Sequence, residues 1–474
     1  MRAAGLGALL LVAVASAGCD PEPGRDDAGS PEDAGVDGWE PCGAWECTSV
    51  AVPLDYEDPA SESIDVRVLR IRARRARRGV LFFNPGGPGV ATLSRVDELA
   101  EQFGLLVPDF DAILFDPRGS GQSAPLRCIE PALAERLRAL PASPADDAAW
   151  VAVEALMREV AAACTEGDAS GLAAHLSTEA VARDMDRIRE RLGEARIHFL
   201  GFSYGTHLAA VYATLFPDRV GAFVLDSATW RPPVAFPEGE EGGHDAALGG
   251  FFGACGADPA CAFHGGEGEG AVAAAWDALA AAAPSSLDFQ AAASHALRRA
   301  DLESYAADLS TAEAGSFAAL TARADAFYGA AEPEPYATLS PLYATLRNDA
   351  PCPEGFDLAA ARARWSQLET TAPRLGAIEL FVDLACLGWP SAARSPVGVA
   401  APSAPPMLLF GGARDPAAPT REARRLAEAL GNGSHVVEYL GAGHGYLTRS
   451  GCVLSTSVDF LRDPSTPPAS ATCD

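Results

Sequence analysis

In Arg196-Ile-His-Phe-Leu-Gly201-Phe-Ser203-Tyr-Gly205-Thr-His-Leu-Ala-Ala-Val-Tyr-Ala-Thr-Leu-Phe216, an apolar run suited to a strand passes into one suited to a helix through Gly-x-Ser-x-Gly. Such a turn is so sharp that its serine takes a strained backbone conformation. Side chains at the two flanking positions would collide with the neighbouring strand or helix, which is why both are glycine. Ser203 is thereby pushed out at the carboxyl edge of a sheet. It stands at the start of a helix whose free N–H groups and dipole favour negative charge on a substrate oxygen. In a chain with 46 glycines the five residues alone say little; the strand before and the helix after carry the reading.

Upstream, residues 42–56 read as an irregular entry segment and 64–71 alternate like a half-exposed strand. Residues 79–84 form a continuous apolar run that opens into Asn84-Pro-Gly-Gly87-Pro-Gly89, and 110–116 repeat the pattern into Asp116-Pro-Arg118-Gly-Ser-Gly121. Helical periodicity follows over 131–164 and 177–193, with Ser177 or Thr178 as cap, and 219–226 are a further buried strand. These alternations predict a mostly parallel sheet covered on both faces. From Ser227 the texture changes to Pro, Gly and acidic residues and then to Ala-rich helical segments without a buried-strand pattern, an insertion over 229–398. The sheet pattern returns at 406–412 and 435–439, with helices over 420–430 and 448–460.

A serine hydroxyl needs a general base within reach and an acid to hold that base's tautomer. His444, in Gly441-Ala-Gly-His444-Gly445 just past a strand, is the candidate base, while His435 reads as a strand residue and His207 as a packed histidine of the elbow helix. Asp415, in Gly411-Gly-Ala-Arg-Asp415-Pro416, is the favoured acid, with Asp226 at another strand end as the alternative. Ser203, Asp415 and His444 run in the order Ser…Asp…His, each at a strand's carboxyl end. The Tyr204 amide follows from the elbow as an oxyanion donor, and the loop at Gly87 offers the second. That loop lacks both Gly-x-Gly-x-x-Gly spacing and a following lysine, so it does not read as a phosphate cradle. Arg118 reads as part of a structural turn with an internal salt bridge.

The balance of 36 basic and 64 acidic residues, a formal charge of −28, argues against nucleic acid as a partner. Every basic residue other than histidine is arginine, which removes lysine Schiff-base chemistry and a P-loop. Residues 1–19 pair an arginine with an apolar run and a small-residue exit, as a secretory signal does. Ala15-Ser-Ala17 suits ordinary cleavage, while Ser16-Ala-Gly-Cys19 resembles a bacterial lipobox. Setting Cys19 aside as a lipidated terminus leaves an even ten of the 11 cysteines, and residues 20–41 then read as a disordered acidic tether. The export expected is to the envelope or surface as a lipoprotein, or otherwise secretion, with any membrane contact made only through that anchor. The simplest pairing of the ten is local: Cys42 with Cys47, Cys128 with Cys164, Cys255 with Cys261, Cys352 with Cys386, and Cys452 with Cys473. No Cys-x-x-Cys or His-Glu-x-x-His occurs, so no metal site and no cofactor are expected.

Taken together, Asn84-Pro-Gly-Gly-Pro-Gly89, Asp116-Pro-Arg-Gly-Ser-Gly-Gln-Ser123, Gly-Phe-Ser203-Tyr-Gly-Thr, Gly-Gly-Ala-Arg-Asp415 and Gly-His444-Gly resemble the secreted tripeptidyl aminopeptidase and proline iminopeptidase branch of the α/β-hydrolase fold. The resemblance spans roughly 42–474 and implies an eight-stranded core in two parts, 42–228 and 399–474. A helical cap over 229–398 would be inserted before the acid-bearing strand. It further implies exopeptidase action on peptides with free N-termini, through an acyl-enzyme. Cap carboxylates would bind the substrate amine; Glu238, Glu240, Glu241 and Asp245 stand at the cap's entry. The branch also contains esterases that use the same triad, so a carboxylesterase acting on small esters is the alternative function. A catalytically silent binding lipoprotein is the alternative outside enzymes.

Overall fold

The computed structural model describes residues 38–474 except 98, 101–106, 233–241, 265, 267 and 391–395. The signal segment, most of the tether, Cys19, Glu238, Glu240 and Glu241 lie outside the described residues. Among the described residues ten strands form one sheet: β1 (Glu40–Cys42), β2 (Trp45–Pro53), β3 (Ser63–Ile71), β4 (Val80–Asn84), β5 (Asp111–Phe115), β6 (Ile197–Phe202), β7 (Val220–Asp226), β8 (Leu408–Arg414), β9 (His435–Ala442) and β10 (Thr472–Cys473). Their spatial order is β1-β2-β3-β5-β4-β6-β7-β8-β9-β10. The first three pairings are antiparallel and every pairing from β5 onward is parallel.

Both faces of the sheet are covered, as a parallel sheet requires. The described core helices before the helical segment include α1 (Pro131–Arg138), α2 (Asp147–Thr165), α3 (Thr178–Arg191) and α4 (Tyr204–Leu215). Between β7 and β8 come α5 (Gly243–Ala257), α6 (Glu269–Ala282), α7 (Ser286–Arg299), α8 (Leu302–Glu313), α9 (Ala318–Tyr328), α10 (Leu339–Asp349), α11 (Leu358–Thr371) and α12 (Gly376–Asp383). Two more, α13 (Thr420–Leu430) and α14 (Gly451–Arg462), flank β9. Alternate residues of each strand serve opposite faces. Phe82, Ile113, Phe199 and Phe223 pack with Met185 of α3, Leu208 of α4 and Leu426 of α13. Leu81, Leu114, Leu200 and Val224 pack with Phe460 and Leu461 of α14. Among the described residues between β7 and β8 there is no strand, and α5 to α9 share a core of their own around Phe252, Trp276 and Tyr305.

Three local readings need correction. The entry segment is not irregular: β2 runs for nine residues and pairs along its length with β3. The periodicity over 131–164 is broken into α1 and α2, and α2 restarts where Asp146 accepts the Ala149 amide. Arg118 is structural, but its ion pair leaves its own loop. Nε and Nη2 bond Asp184 of α3 at 2.7 and 2.6 Å, and the remaining N–H groups go to the carbonyls of Pro53, Leu54 and His175. Both side chains are sealed from solvent, at 0 and 1 % exposure. Removing one partner strands a buried charge, so Arg118→Met is expected to cost about 3–5 kcal/mol in urea unfolding. The double replacement Arg118→Met with Asp184→Leu should recover most of that loss. A loss below about 1 kcal/mol for the single variant would contradict the role.

Five disulfides join Cys42 to Cys47, Cys128 to Cys164, Cys255 to Cys261, Cys352 to Cys386, and Cys452 to Cys473. No described helix is long and apolar enough to cross a membrane.

Candidate active site

The chain leaves β4 for one side of the sheet and β6 for the other, so a crevice opens at their carboxyl ends, where open α/β sheets bind ligands. Asn84 pairs in register with Gly201, which sets the glycine loop beside the elbow. Ser203 links β6 to α4 with φ 53° and ψ −124°, a strained conformation for a residue with a side chain. A Cβ at Gly205 would stand 2.7 Å from the Asn84 carbonyl oxygen, so no larger residue fits where helix and loop meet.

Tyr204 is the first residue of α4, so its N–H has no partner within the helix. A Cβ at Gly86 would lie 3.0 Å from Ser203 Cβ and 3.4 Å from the Tyr204 nitrogen, which measures how closely the loop approaches. The Gly86 N–H itself donates to Asn84 Oδ1 at 2.9 Å, so Gly87 is the next donor along the loop.

Asp415 follows β8 directly and is buried. Its oxygens accept the His444 Nδ1–H at 2.9 and 3.0 Å, the Tyr446 hydroxyl at 2.5 Å, and the Ala417 and Ala418 amides at 2.8 and 2.9 Å. Burial pushes the carboxyl upward. The charge and hydrogen bond of His444, with the Tyr446 and Ala418 donors, outweigh it and hold Asp415 below the ordinary carboxylate range. With Nδ1 engaged, Nε2 is the ring nitrogen left for proton transfer.

The alternative acid, Asp226, has a different task. Its carboxylate accepts the Tyr446 and Leu447 amides, each at 2.8 Å, and its main-chain oxygen accepts the Ser203 N–H at 3.0 Å. Neighbouring Ser227 Oγ accepts the Gly445 N–H at 2.7 Å. One strand end therefore anchors both the elbow and the loop that carries His444. Burial lifts Asp226 to about 6 against the pull of those amides. The helical segment reaches the same loop, because the Arg298 carbonyl at the end of α7 accepts the His444 N–H at 2.7 Å.

Above the elbow lies a cavity of about 1060 Å³ whose wall includes Gly87, Ser203, His207, Arg231, Asp349 and Asp383. His207 is buried, its ring pushed down to about 3 by burial and by nearby Arg231, and its Nδ1 has no hydrogen-bond partner among the described residues. It packs on α4 but also faces the cavity, which its sequence position did not reveal. Asp245 is not at the cavity wall; its carboxylate accepts the amides of Arg374 and Leu375 at 3.0 and 2.9 Å. His435 stacks edge-on against Phe460, away from the site. Asp349 and Asp383 are two of the carboxylates of the cavity wall, which also include Asp55, Glu57, Glu179 and Glu422; in the sequence each of the two is an unremarkable acid at a helix end.

Residues 79–263 match a family profile described as the alpha/beta hydrolase fold, and 376–473 match one described as TAP-like protein. A tripeptidyl aminopeptidase of Streptomyces lividans is 41% identical over 210 residues, which cover 41% of this chain and 38% of that protein. The serine protease Hip1 of Mycobacterium tuberculosis is 33% identical over 202 residues, 40% of this chain and 39% of that one. Carboxylesterase B of the same organism is 30% identical over 274 residues, 54% of this chain and 52% of that one. The chain thus spans about two-fifths of the first two of these relatives and about half of the third. With a mostly parallel sheet, a serine elbow and both profiles in sequence, this chain has the α/β-hydrolase fold and carries a carboxyl-terminal segment that matches the TAP-like profile.

Proposed function

We propose that this chain is an exported serine hydrolase that releases short peptides or residues from free N-termini. Ser203 Oγ attacks the scissile carbonyl while His444 takes its proton. Asp415 holds the imidazole tautomer and the imidazolium that forms, and the Gly87 and Tyr204 amides receive the oxyanion. His444 then protonates the leaving amine, and water drawn through the same base hydrolyses the acyl-enzyme.

The observation that carries this reading is the bonded His444–Asp415 pair, on a loop anchored to the same strand end as the Ser203 elbow, under a cavity of about 1060 Å³. That volume suits a segment of a few residues rather than a folded chain. Asp383, Glu179 and Glu422 are held by Arg347, Arg183 and Arg425 at 3.3, 2.7 and 3.4 Å, whereas no guanidinium pairs with Asp349 among the described residues. Asp349 is the wall carboxylate we assign to the substrate amine; Glu238, Glu240 and Glu241 lie outside the described residues. The relatives named for aminopeptidase and serine protease activity support the peptide reading. Five disulfides suit an oxidising compartment and hence export.

A carboxylesterase is the second reading, supported by the relative of that name, which covers more of this chain than the two peptidase relatives do. Paired substrates separate the two: a tripeptidyl amide with a free amine, its N-acetylated form, and a p-nitrophenyl acyl ester. The exopeptidase reading expects kcat/KM for the free-amine peptide to exceed that of the acetylated one by at least about 100-fold, the scale of an uncompensated buried charge. Equal rates for the two peptides with faster ester turnover would make the chain an esterase.

A further inference from the structure

Helix α10 ends at Asp349, and this carboxylate grips the start of α3 at the cavity wall. Oδ1 accepts the Thr178 N–H at 2.8 Å and Oδ2 accepts the Thr178 hydroxyl at 2.5 Å. The same hydroxyl lies 2.5 Å from the phenol oxygen of Tyr204. Thr178 and Tyr204 are buried, at 1 and 3 % exposure, so neither replaces these bonds with water.

The direction of the chain follows from the protons available. An ionised carboxylate only accepts, and a threonine hydroxyl has one proton to give. Thr178 therefore donates to Asp349 and uses a lone pair to accept the Tyr204 O–H. The result is a one-way sequence, Tyr204 to Thr178 to Asp349, running from the residue after the nucleophile to a helix that belongs to the inserted segment.

Tyr204 carries, on its main chain, the N–H assigned above to the oxyanion. Its ring is wedged in the core with Leu208 and Val211, and the phenol is the far end of that lever. Fixing the phenol fixes the ring, and the ring limits how far the amide shifts as charge develops. A donor displaced by a fraction of an ångström loses much of its stabilisation of the transition state.

We infer that Asp349 and Thr178 are positioning residues for the oxyanion donor Tyr204, so that the reaction runs at full rate only when α10 is seated against α3. The inference rests on the reading of Ser203 and Tyr204 given above, but not on the identity of the substrate. It also makes the occupant of Asp349 felt at the reacting centre, because a cation bound there keeps the carboxylate ionised and the sequence of donors in one direction.

A fluorophosphonate tests this on the full chain. Ser203 oxygen forms the bond to phosphorus, fluoride leaves, and the hydroxyl proton passes to His444. The probe needs the oxyanion donors but carries no amine. We expect Thr178→Val, Tyr204→Phe and Asp349→Asn each to be labelled about tenfold more slowly than the parent, at unchanged thermal midpoint for Tyr204→Phe. Thr178→Ser, which keeps the hydroxyl, should stay within about threefold of the parent rate. In peptide turnover Thr178→Val and Tyr204→Phe should lower kcat with KM retained, a split that a purely structural defect does not produce.

Labelling of folded Tyr204→Phe at the parent rate overturns the proposal, and so does a Thr178→Ser rate as low as that of Thr178→Val. Should Thr178→Val fail to fold, the Tyr204→Phe and Thr178→Ser rates decide alone. If instead the parent cleaves free and acetylated peptides equally, the exopeptidase reading falls while the labelling rates still judge the positioning role.

Discussion

Ser203→Ala is expected to lower kcat by about 10⁶-fold, the scale seen when a triad nucleophile is removed. The neighbouring hydroxyls are engaged: Thr206 Oγ1 and Thr229 Oγ1 donate to the Ser203 carbonyl at 2.6 and 3.2 Å, and Ser227 Oγ takes the Gly445 amide. Stability should hardly change, because Ala occupies the same strained turn with fewer atoms and Ser203 Oγ makes no cap bond to α4. The remaining rate above water then reports what the Gly87 and Tyr204 amides and the cavity do without a nucleophile. Turnover in the variant within tenfold of the parent, measured on whichever paired substrate the parent prefers, would remove Ser203 from the chemistry.

Asp415→Asn is expected to lower kcat by about 10⁴-fold with KM little changed. The carboxylate is surrounded by donors only: the His444 ring, the Tyr446 hydroxyl and two amides. An asparagine must turn its NH₂ toward one of them. If it faces His444, the ring is forced to keep its proton on Nε2, the wrong tautomer for a base. Asp226→Asn gives the contrasting result. It disturbs the amides of Tyr446 and Leu447 rather than the ring, so it should cost stability and loosen the loop without inverting the tautomer. Because Asp415 is held below its ordinary range, its bond to His444 persists as pH falls through the range where a free carboxyl would protonate. Comparison of kcat, KM and urea midpoints for the two variants separates the roles. A larger kcat loss in Asp226→Asn than in Asp415→Asn would exchange them.

Much of the sheet can be read from continuous apolar runs. The buried strands β4 and β5 have every residue inside, and their glycine-rich ends mark where the chain turns over the carboxyl edge. The elbow and the Asp415 and His444 loops are legible for the same reason, each being a short polar punctuation after an apolar strand. β2 is not, because its Trp-Glu-Cys-Thr-Ser start mixes polar and apolar residues and its pairing is antiparallel with β3. Choosing between Asp226 and Asp415 needs the register of neighbouring strands, since both follow apolar runs and both are buried beside the His444 loop.

Relations between distant side chains are hidden altogether. Arg118 meets Asp184 across 66 positions, and Thr178 meets Asp349 across 171. Nothing local marks those acids, because their partners arrive only when the sheet, α3 and the helical segment have packed. The cavity is hidden likewise, being a product of how the helices after β7 come to rest over Ser203. Acid-rich sequence at 238–241 draws attention by composition, whereas Asp349 stands alone at a helix end and gains its meaning from burial and from the absence of a paired guanidinium among the described residues.

The central claim is that Ser203 is an activated nucleophile. Intact mass after incubation with a fluorophosphonate, followed by mapping of the modified peptide, tests it most directly. The account predicts one adduct per chain, located on Ser203, absent from Ser203→Ala and strongly slowed in Asp415→Asn. A folded parent that acquires no adduct, or an adduct that persists in Ser203→Ala, would contradict it.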